Sequence, residues 1–425
     1  MKKKQLLPLS AVFLTLQLCA DEFDYMELSL EELMQLQVVT AASGFEQNTN
    51  QVSSSVTIIE AAEWQARGAK NLTQALQGAV NVEVSSATTS INDDKYAIRG
   101  LSGTFGQQVV ISIDGVPVNE LHNGSGSTYV EKTLQGYKRI EIIRSPGSVV
   151  YGADAFGGII NLVSYDIDEQ PDEINFSVGG FDTVNIGASK SLSINEAKFQ
   201  ISANYQRYGD DPNRVVKRDL QTTLDEALNT SASHAPGRLN KSFESFAIKA
   251  KMQWNSLSVY FNGLDGVRGF GSGVAQALDP YEQSDHQLHI AGLDYNLSSL
   301  LGNTALKGEL VISAWYNYQK ANFPLTVLPV GAILPIGSDG NLNFIEPTTI
   351  TTFTDGYIGQ PAYKTERYHL NIKYLFYVSD EHQLRWELGY EKQNYMAFEK
   401  KNFGPGILDG TETIVDGTLT DVTHT

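Results

Sequence analysis

Arg367-Tyr368-His369-Leu370-Asn371-Ile372-Lys373-Tyr374-Leu375-Phe376-Tyr377-Val378 alternates between two kinds of side chain. Tyr368, Leu370, Ile372, Tyr374, Phe376 and Val378 fall on one parity, and Arg367, His369, Asn371 and Lys373 on the other. A period of two sends successive side chains to opposite faces of a strand. One face here is apolar and aromatic throughout, while the other is charged or polar. Alternation over about ten residues describes a strand with lipid on one side and water on the other.

Working outward, the same texture fills the chain from about residue 172 onward. Phe199, Ile201, Ala203 and Tyr205 alternate with Gln200, Ser202, Asn204 and Gln206. Phe246, Ile248, Ala250, Met252 and Trp254 alternate with Ala247, Lys249, Lys251 and Gln253. Leu384, Trp386, Leu388 and Tyr390 alternate with Arg385, Glu387 and Glu391. Tyr and Trp at segment ends suit the interfacial girdles of a membrane protein. About nine strands are expected, near 173–180, 183–193, 198–207, 243–254, 257–265, 286–297, 305–318, 366–378 and 383–397.

The connections support this reading. Tight ones at 194–197, 255–256, 298–304 and 379–381 alternate with long ones at 208–241, 264–285 and 319–365. Outer-membrane barrels have short periplasmic turns and longer outer loops. Nine is odd, whereas single-chain bacterial barrels have an even number of strands. The expectation is therefore an incomplete transmembrane antiparallel β-barrel, from a fragment or a truncated reading frame.

The N-terminus reads as an export signal over residues 1–20. Lys2, Lys3 and Lys4 precede an apolar run from Leu6 to Leu18, and Ala20-Asp21 offers a cleavage site. Residues 21–51 form an N-terminal periplasmic segment, with a short helix near 24–36 and a polar linker at 42–54. Removal of the leader removes the only cysteine, Cys19, so no disulfide framework is expected. The 425 residues carry a formal net charge of −18, which supplies no basic footprint for nucleic acid.

Residues 52–165 read as one small α/β domain. Strands are expected at 56–59, 82–84, 96–98, 109–113, 139–143 and 159–163, with a helix over 60–67 and a second capped by Asn71. Asp114-Gly115-Val116-Pro117 is a turn. The mixture is too irregular for a doubly wound sheet.

Three motifs in this domain carry a family resemblance. They are Ala97-Ile98-Arg99-Gly100-Leu101, then the run from Val110 through Asp114-Gly115-Val116-Pro117 to Asn119, and Ile140-Glu141-Ile142-Ile143-Arg144-Ser145-Pro146-Gly147 continuing through Tyr151-Gly152-Ala153-Asp154-Ala155-Phe156-Gly157-Gly158 to Asn161. In this order they resemble the plug of TonB-dependent outer-membrane receptors, with Ser145 standing where Gly is usual. The resemblance covers the plug by motif and the barrel by pattern alone.

The resemblance implies a plug seated inside a barrel of about 22 strands in the outer membrane of a Gram-negative bacterium. It also implies active uptake of a scarce small molecule: a siderophore, cobalamin, haem or oligosaccharide. Energy would arrive through TonB. Val38-Val39-Thr40-Ala41 resembles a TonB box, a β-prone run able to add a strand to a sheet edge; the plainer alternative is an ordinary first strand of the plug. Arg99, Glu141 and Arg144 are the charges that the family uses to lock plug to barrel wall; the plain alternative is solvated surface charge. Other readings are a non-transporting surface receptor, a passive porin or an inactive fragment.

Catalytic and cofactor chemistry find no support in the sequence. The glycines at 100, 103 and 106 do not form a phosphate loop, and no G-x-S-x-G elbow occurs. His286 and His289 lie on opposite faces of a strand, with no further metal-ligand spacing, and read as solvated. No enzyme, metal or cofactor is expected. Ligand contacts remain unassigned: Phe270, Tyr281 and Phe323 suit ligand stacking or packing within the loops, and the 123–127 loop suits a plug apex or a connector.

Overall fold

A computed structural model describes residues 38–39, 47–48, 54–86, 94–101, 103, 106–121, 123–126, 132–144, 153–272, 277–298, 308–338, 343–378, 382–402 and 417–424. The expected leader, the 24–36 helix, Thr40 and Ala41 lie outside them.

The plug is built as its pattern predicts, with ends shifted by one or two residues. Its elements are β1 (Val56–Glu60), α1 (Ala61–Ala66), α2 (Leu72–Leu76), β2 (Val82–Ser86), β3 (Asp94–Ile98), β4 (Val109–Ile113), β5 (Val116–Pro117), β6 (Tyr137–Ile143) and β7 (Gly158–Ser164). The Asn71 side chain accepts a hydrogen bond from the main-chain N–H of Gln74 at 2.9 Å, satisfying a donor that the start of α2 leaves open. Five strands pair in the order β1-β6-β7-β4-β5, and β2 pairs separately with β3. The β4–β7 pair is parallel and the other pairs antiparallel, so the sheet is mixed and not doubly wound.

The Gly157-Gly158 pair of the third motif has a steric cause. Gly158 adopts φ +145° where β7 enters the sheet, and a Cβ there would meet the Ile98 side chain at 2.7 Å and collide with the Ile143 carbonyl. Only glycine tolerates both the dihedral and the approach. Ile98, Ile111, Ile140, Ile142, Ile160 and Leu162 then fill the plug core with essentially no exposure.

The remaining chain forms an 11-stranded antiparallel sheet, the wall. Its strands are β8 (Glu173–Gly179), β9 (Thr183–Ile194), β10 (Ala197–Tyr208), β11 (Phe243–Trp254), β12 (Leu257–Ser272), β13 (Leu278–Asn296), β14 (Gly308–Asn322), β15 (Leu325–Leu328), β18 (Tyr357–Tyr377), β19 (Gln383–Asn402) and β20 (Gly417–His424). Helix α3 (Leu220–Leu228) lies between β10 and β11, and the outer hairpin β16 (Ala332–Ile336) with β17 (Thr349–Phe353) lies between β15 and β18. Ten wall strands pair in one path from β8 to β20, and β15 pairs with β18 off it. Among the described residues no pairing joins β8 to β20, so the barrel is partial.

The alternation read from the sequence is the wall's inside and outside. Ile174, Phe176, Ile201, Phe246, Leu370, Leu384, Trp386 and Leu388 are exposed on the outer face, while Gln200, Ser202, Asn204, Gln206, Asn317 and Asn371 are buried on the inner one. A wall of this kind suits lipid outside and a polar plug within.

Two expectations are corrected. Residues 264–285 are not mostly loop: β12 and β13 continue pairing outward from Leu264↔Leu288 to Ser272↔Leu278, with a register irregularity between Gly269 and Gly271. A further strand, β20, follows the last of those expected.

Candidate functional site

The interface between plug and wall begins at Gly136, where the chain turns into β6. Gly136 has φ +76°, and a Cβ would stand 2.6 Å from the Ser202 hydroxyl of the wall. That close approach lets the wall hold the plug by its main chain. Lys249, on the inner face of β11, donates to the Gly136 carbonyl at 2.9 Å and to the Ser164 hydroxyl at 2.5 Å. Its ammonium also lies 3.4 Å from the centre of the Tyr137 ring, a cation–π contact. Beside it, Gln135 donates to Glu173 at 2.7 Å and to Ser189 at 2.6 Å.

A second line of contact holds the turn after β4. Asn317 donates to the Pro117 carbonyl at 2.8 Å and Gln319 to the Val118 carbonyl at 3.1 Å. Tyr363 donates to the Glu120 carboxylate at 2.5 Å. A third line follows the connector from plug to wall. Its Asp166 pairs with Lys251 at 3.7 Å, while Asp168 pairs with Lys198 and Asp172 with Lys190. Gln200 adds a bond to the Tyr165 carbonyl at 3.3 Å. Each such pair is weak alone where water reaches it, but successive strands β9, β10 and β11 each supply one.

Between these lines lies a cavity of about 1030 Å³, reaching from the Asp114-Gly115 turn to the Asn255-Ser256 turn of the wall. Trp315, Arg367, His369 and Glu391 line its far side. Arg367 and His369 both bond Glu391, at 3.0 and 3.1 Å, and His369 stacks on Trp315 with ring centres 4.7 Å apart. The lining is polar and held in place, with Glu391 fixing both Arg367 and His369.

Of the three charges expected to lock plug to wall, Glu141 is fully buried and accepts from Arg139 at 2.9 Å and from Asn161 at 3.4 Å. Asn161 in turn accepts from Ser112 at 2.8 Å and from the Gly115 N–H at 3.0 Å. Glu141 therefore ties β6, β7 and β4 together. Arg144 is also buried, and donates to the Val80 carbonyl at 3.0 Å and to the hydroxyls of Ser55 and Thr57. Burial, and then the positive Arg99 nearby, lower the Arg144 pKa. Arg99 itself is exposed, at φ +55° in the turn after β3. Arg99 is thus exposed among the described residues, while Glu141 and Arg144 brace the plug internally. The wall residues that do grip the plug, Lys249, Asn317, Gln319 and Tyr363, were missed. Alternation places Lys249 and Asn317 in expected strands, Lys249 on a polar face, but Gln319 and Tyr363 fall in the connection expected at 319–365, and period alone does not say which side chain meets the plug.

Val38–Val39 pairs antiparallel with Gln47–Asn48, so half of the expected TonB-box segment is extended and strand-paired. His286 is corrected from solvated to buried: its ring lies 5.0 Å from that of Phe323. His289 faces the other way and bonds Asp265 at 2.9 Å. Phe270 and Phe323 pack with Ala321 and Tyr363 in an apolar cluster, while Tyr281 is 75% exposed against His234.

Toward the outside, α3 docks on the β16–β17 hairpin through Leu224, Ala332, Leu334 and Phe353. Asp219 caps α3, accepting from the main-chain N–H groups of Thr222 and Leu278, both at 2.7 Å, and so ties one outer loop to the next.

Comparison with known proteins agrees with this geometry. Residues 48–159 match the TonB-dependent Receptor Plug Domain. A vitamin B12 transporter, BtuB, of Vibrio vulnificus is 32% identical over 127 residues, which are 30% of this chain and 20% of that relative. Its counterpart from Photobacterium profundum is 27% identical over 161 residues, 38% of this chain and 26% of that one. Among solved structures, the ferripyoverdine receptor of Pseudomonas aeruginosa superposes with a TM-score of 0.58 at 13% identity, over 91% of this chain and 49% of that one. The ferric yersiniabactin uptake receptor FyuA of Yersinia pestis gives 0.53 at 14%, over 82% and 49%. The chain thus spans about half the length of the solved receptors that it matches, and these two curated relatives align over 20% and 26% of theirs.

A plug domain gripped by the inner face of a lipid-facing β-wall defines a plugged outer-membrane barrel protein. Residues 48–159 are a plug domain of the TonB-dependent receptor kind, and plug and partial wall together have the fold of the solved outer-membrane receptors.

Proposed function

We propose that the protein takes up a scarce small ligand across the outer membrane with energy delivered through TonB. The observation that carries this reading is the seating of the plug. The wall holds it largely through hydrogen bonds to the main chain at Gly136, Pro117 and Val118, around a polar-lined cavity. Such bonds are individually worth about 1 kcal/mol net, so the seat is firm at rest and yields stepwise to a pull. A passive porin has no use for a gripped plug.

In this reading Val38, Val39, Thr40 and Ala41 engage TonB by strand addition, and the polar segment behind them supplies reach. Arg99, Glu141 and Arg144 act as a lock: Glu141 and Arg144 hold the plug strands in register, and Arg99 presents the exposed charge toward the barrel. Residues 1–20 are the leader, 21–51 the periplasmic segment, 52–165 the plug and 172–425 the partial barrel. The ligand classes that fit are ferric siderophore, cobalamin, haem and oligosaccharide. No catalytic step is invoked.

The test is accumulation of radiolabelled cobalamin and of a panel of ferric siderophores in cells expressing the protein, with and without TonB. Uptake of at least one that collapses without TonB, and equally on Val39→Pro, is the expected result. Uptake indifferent to TonB, or binding with no accumulation of any ligand, would overturn the transport reading.

A further inference from the structure

The lipid-facing side of a barrel wall carries little charge until it leaves the hydrocarbon, so the level at which charge first appears marks a boundary. On β18 that face runs apolar from Val378 through Ile372 to Tyr368, and turns charged at Glu366 and Lys364. A tilted chain covers about 25 Å over that apolar stretch, the height of the hydrocarbon band. On the neighbouring strands β14 and β19 the same face turns charged at Lys320 and Lys392. The short connections of the wall, such as the one after Tyr377, lie at the other end, so this boundary is the outer one. Tyrosines mark it: the rings of Tyr316 and Tyr368 have centres 4.9 Å apart, and the Lys364 ammonium lies 5.8 Å from the centre of the Tyr318 ring.

Elsewhere along this boundary opposite charges meet. Arg207 of β10 stands opposite Glu244 of β11, and His289 of β13 bonds Asp265 of β12 at 2.9 Å. The three strands β14, β18 and β19 depart from that rule. Lys320 stands directly opposite Lys364, and like charges directly opposite on adjacent strands are destabilising. Glu366 offsets only the second of them, pairing with Lys364 at 3.0 Å and accepting from the Tyr316 hydroxyl at 3.2 Å. On its other side Lys320 faces the neutral Gln287, and the next carboxylate outward, Asp285, accepts from Asn322 at 3.0 Å. Lys392 stands opposite Tyr368. Among the described residues, neither the Lys320 nor the Lys392 ammonium makes a hydrogen bond or ion pair.

We propose that Lys320, Lys364 and Lys392 form a site on the lipid-facing wall for a glycolipid of the outer leaflet that carries two phosphates on its headgroup. The spacing selects that chemistry. Lys320 and Lys364 converge on one point from opposite strands, while Lys392 stands one strand further on and four residues nearer the membrane centre than Met396, the partner of Lys364. Strand geometry puts Lys364 and Lys392 roughly 14 Å apart at the main chain. Flexible lysine stems close part of that gap and present point charges to two phosphates of one headgroup, where a lipid with a single phosphate meets only one group. The apolar band beneath, with Leu370 and Leu388 exposed on it, receives the acyl chains. The site lies outside the barrel and does not rest on the uptake reading.

The experiment is native mass spectrometry of the purified full chain in detergent, titrated at constant ionic strength with a short-core outer-leaflet glycolipid in bis-, mono- and unphosphorylated forms, with phosphatidylglycerol and with inorganic pyrophosphate. The wild type should bind the bis-phosphorylated form tightest, and loss of each phosphate should weaken it. Lys320→Gln/Lys392→Gln should weaken that binding by about tenfold or more, each single variant should show part of the loss, and Lys320→Arg/Lys392→Arg should retain the affinity. Arg207→Gln, on the same face beside Glu244, should leave it unchanged. Equal affinity for the three glycolipid forms, or an undiminished affinity in the double and single Gln variants, would overturn the proposal. Phosphatidylglycerol binding as tightly as the bis-phosphorylated form would also overturn it, because the lysines would then read any anionic lipid, and so would an equal loss in Arg207→Gln. Pyrophosphate bound as tightly as the glycolipid would make the ligand a free phosphate and overturn the lipid assignment. The measurement needs neither TonB nor a transported ligand, so its failure leaves energised uptake standing.

Discussion

One side chain shows how the wall keeps the plug. Lys249 reaches inward from β11 and meets two oxygens and a ring face, all from the plug. Lys249→Met keeps the length of the chain and removes every polar contact. The Gly136 carbonyl and Ser164 hydroxyl then lose a partner, at a cost of about 1–3 kcal/mol each where water does not replace it. The expected outcome is a loosened plug: cells become more sensitive to vancomycin, and the purified protein is cleaved faster in residues 132–144. Unchanged sensitivity and cleavage would place the grip elsewhere. Sequence reading had put the lock on Arg99, Glu141 and Arg144, all charges inside the plug motifs. Motifs reveal what a domain reuses, and Glu141 and Arg144 are reused to brace the plug itself. Lys249 lies in no motif, and its partners, a main-chain carbonyl, a hydroxyl and a ring face, lie some 85 to 113 residues away in sequence, so local pattern does not reveal them.

At the scale of elements, periodicity served well where lipid imposes it. The strands around Phe246, Tyr368 and Leu384 appear with the expected inner and outer faces because a one-residue slip would turn apolar side chains into the lumen. The pattern fails at 264–285. There β12 and β13 run on beyond the lipid layer, through Gly266, Gly269 and Gly271, where no apolar face is required and glycine reads as loop. The α3 loop was equally illegible, because its order comes from capping and cross-loop bonds. Asp219 carries that order, accepting from Leu278, Thr222 and Ser233. Burial opposes its charge, but those donors together prevail and hold its pKa below the ordinary value. Asp225, bonded to Thr230, Gln221 and Ser233, is lowered in the same way. A carboxylate with a depressed folded pKa stabilises fully above its unfolded pKa of about 4 and loses that contribution as pH falls through the folded value. Hydrogen exchange across 219–233, corrected for intrinsic rate, should therefore be slow and flat at neutral pH and accelerate below about pH 4. Asp219→Ala should bring fast exchange at neutral pH as well, with a local loss of about 0.5–2 kcal/mol. Exchange in the variant matching wild type at every pH would remove Asp219 from this role.

Over the whole molecule the plug and wall share a core. The main apolar cluster passes from Ile113, Leu134 and Tyr137 of the plug into Ala247, Leu264, Leu288 and Ile290 of the wall. Ile113 and Tyr137 face Ala247, Leu264 and Leu288 across a small gap, with Lys249 at its edge. Plug and wall are thus separable in sequence but not in burial. A polar inner face was expected from alternation, and these four wall residues depart from it where they lie under the plug's own sheet. The plug expressed alone over residues 54–164 would expose that patch. Each of the larger side chains uncovered forfeits a part of the 1.5–3 kcal/mol or so that full burial provides, and a domain this small has only about 5–15 kcal/mol in hand. The isolated plug should therefore fold weakly, with amides of β4 and β6 exchanging far faster than in the seated protein. Leu264→Ala in the whole protein should accelerate the same amides, while Leu384→Ala on the lipid face should leave them alone. Equal protection of β4 and β6 in the isolated and seated plug would mean that the wall only surrounds the plug. Protection gained on seating would mean that each bond broken in unseating also loosens the plug's own fold, so that displacement and partial opening of the plug are one event.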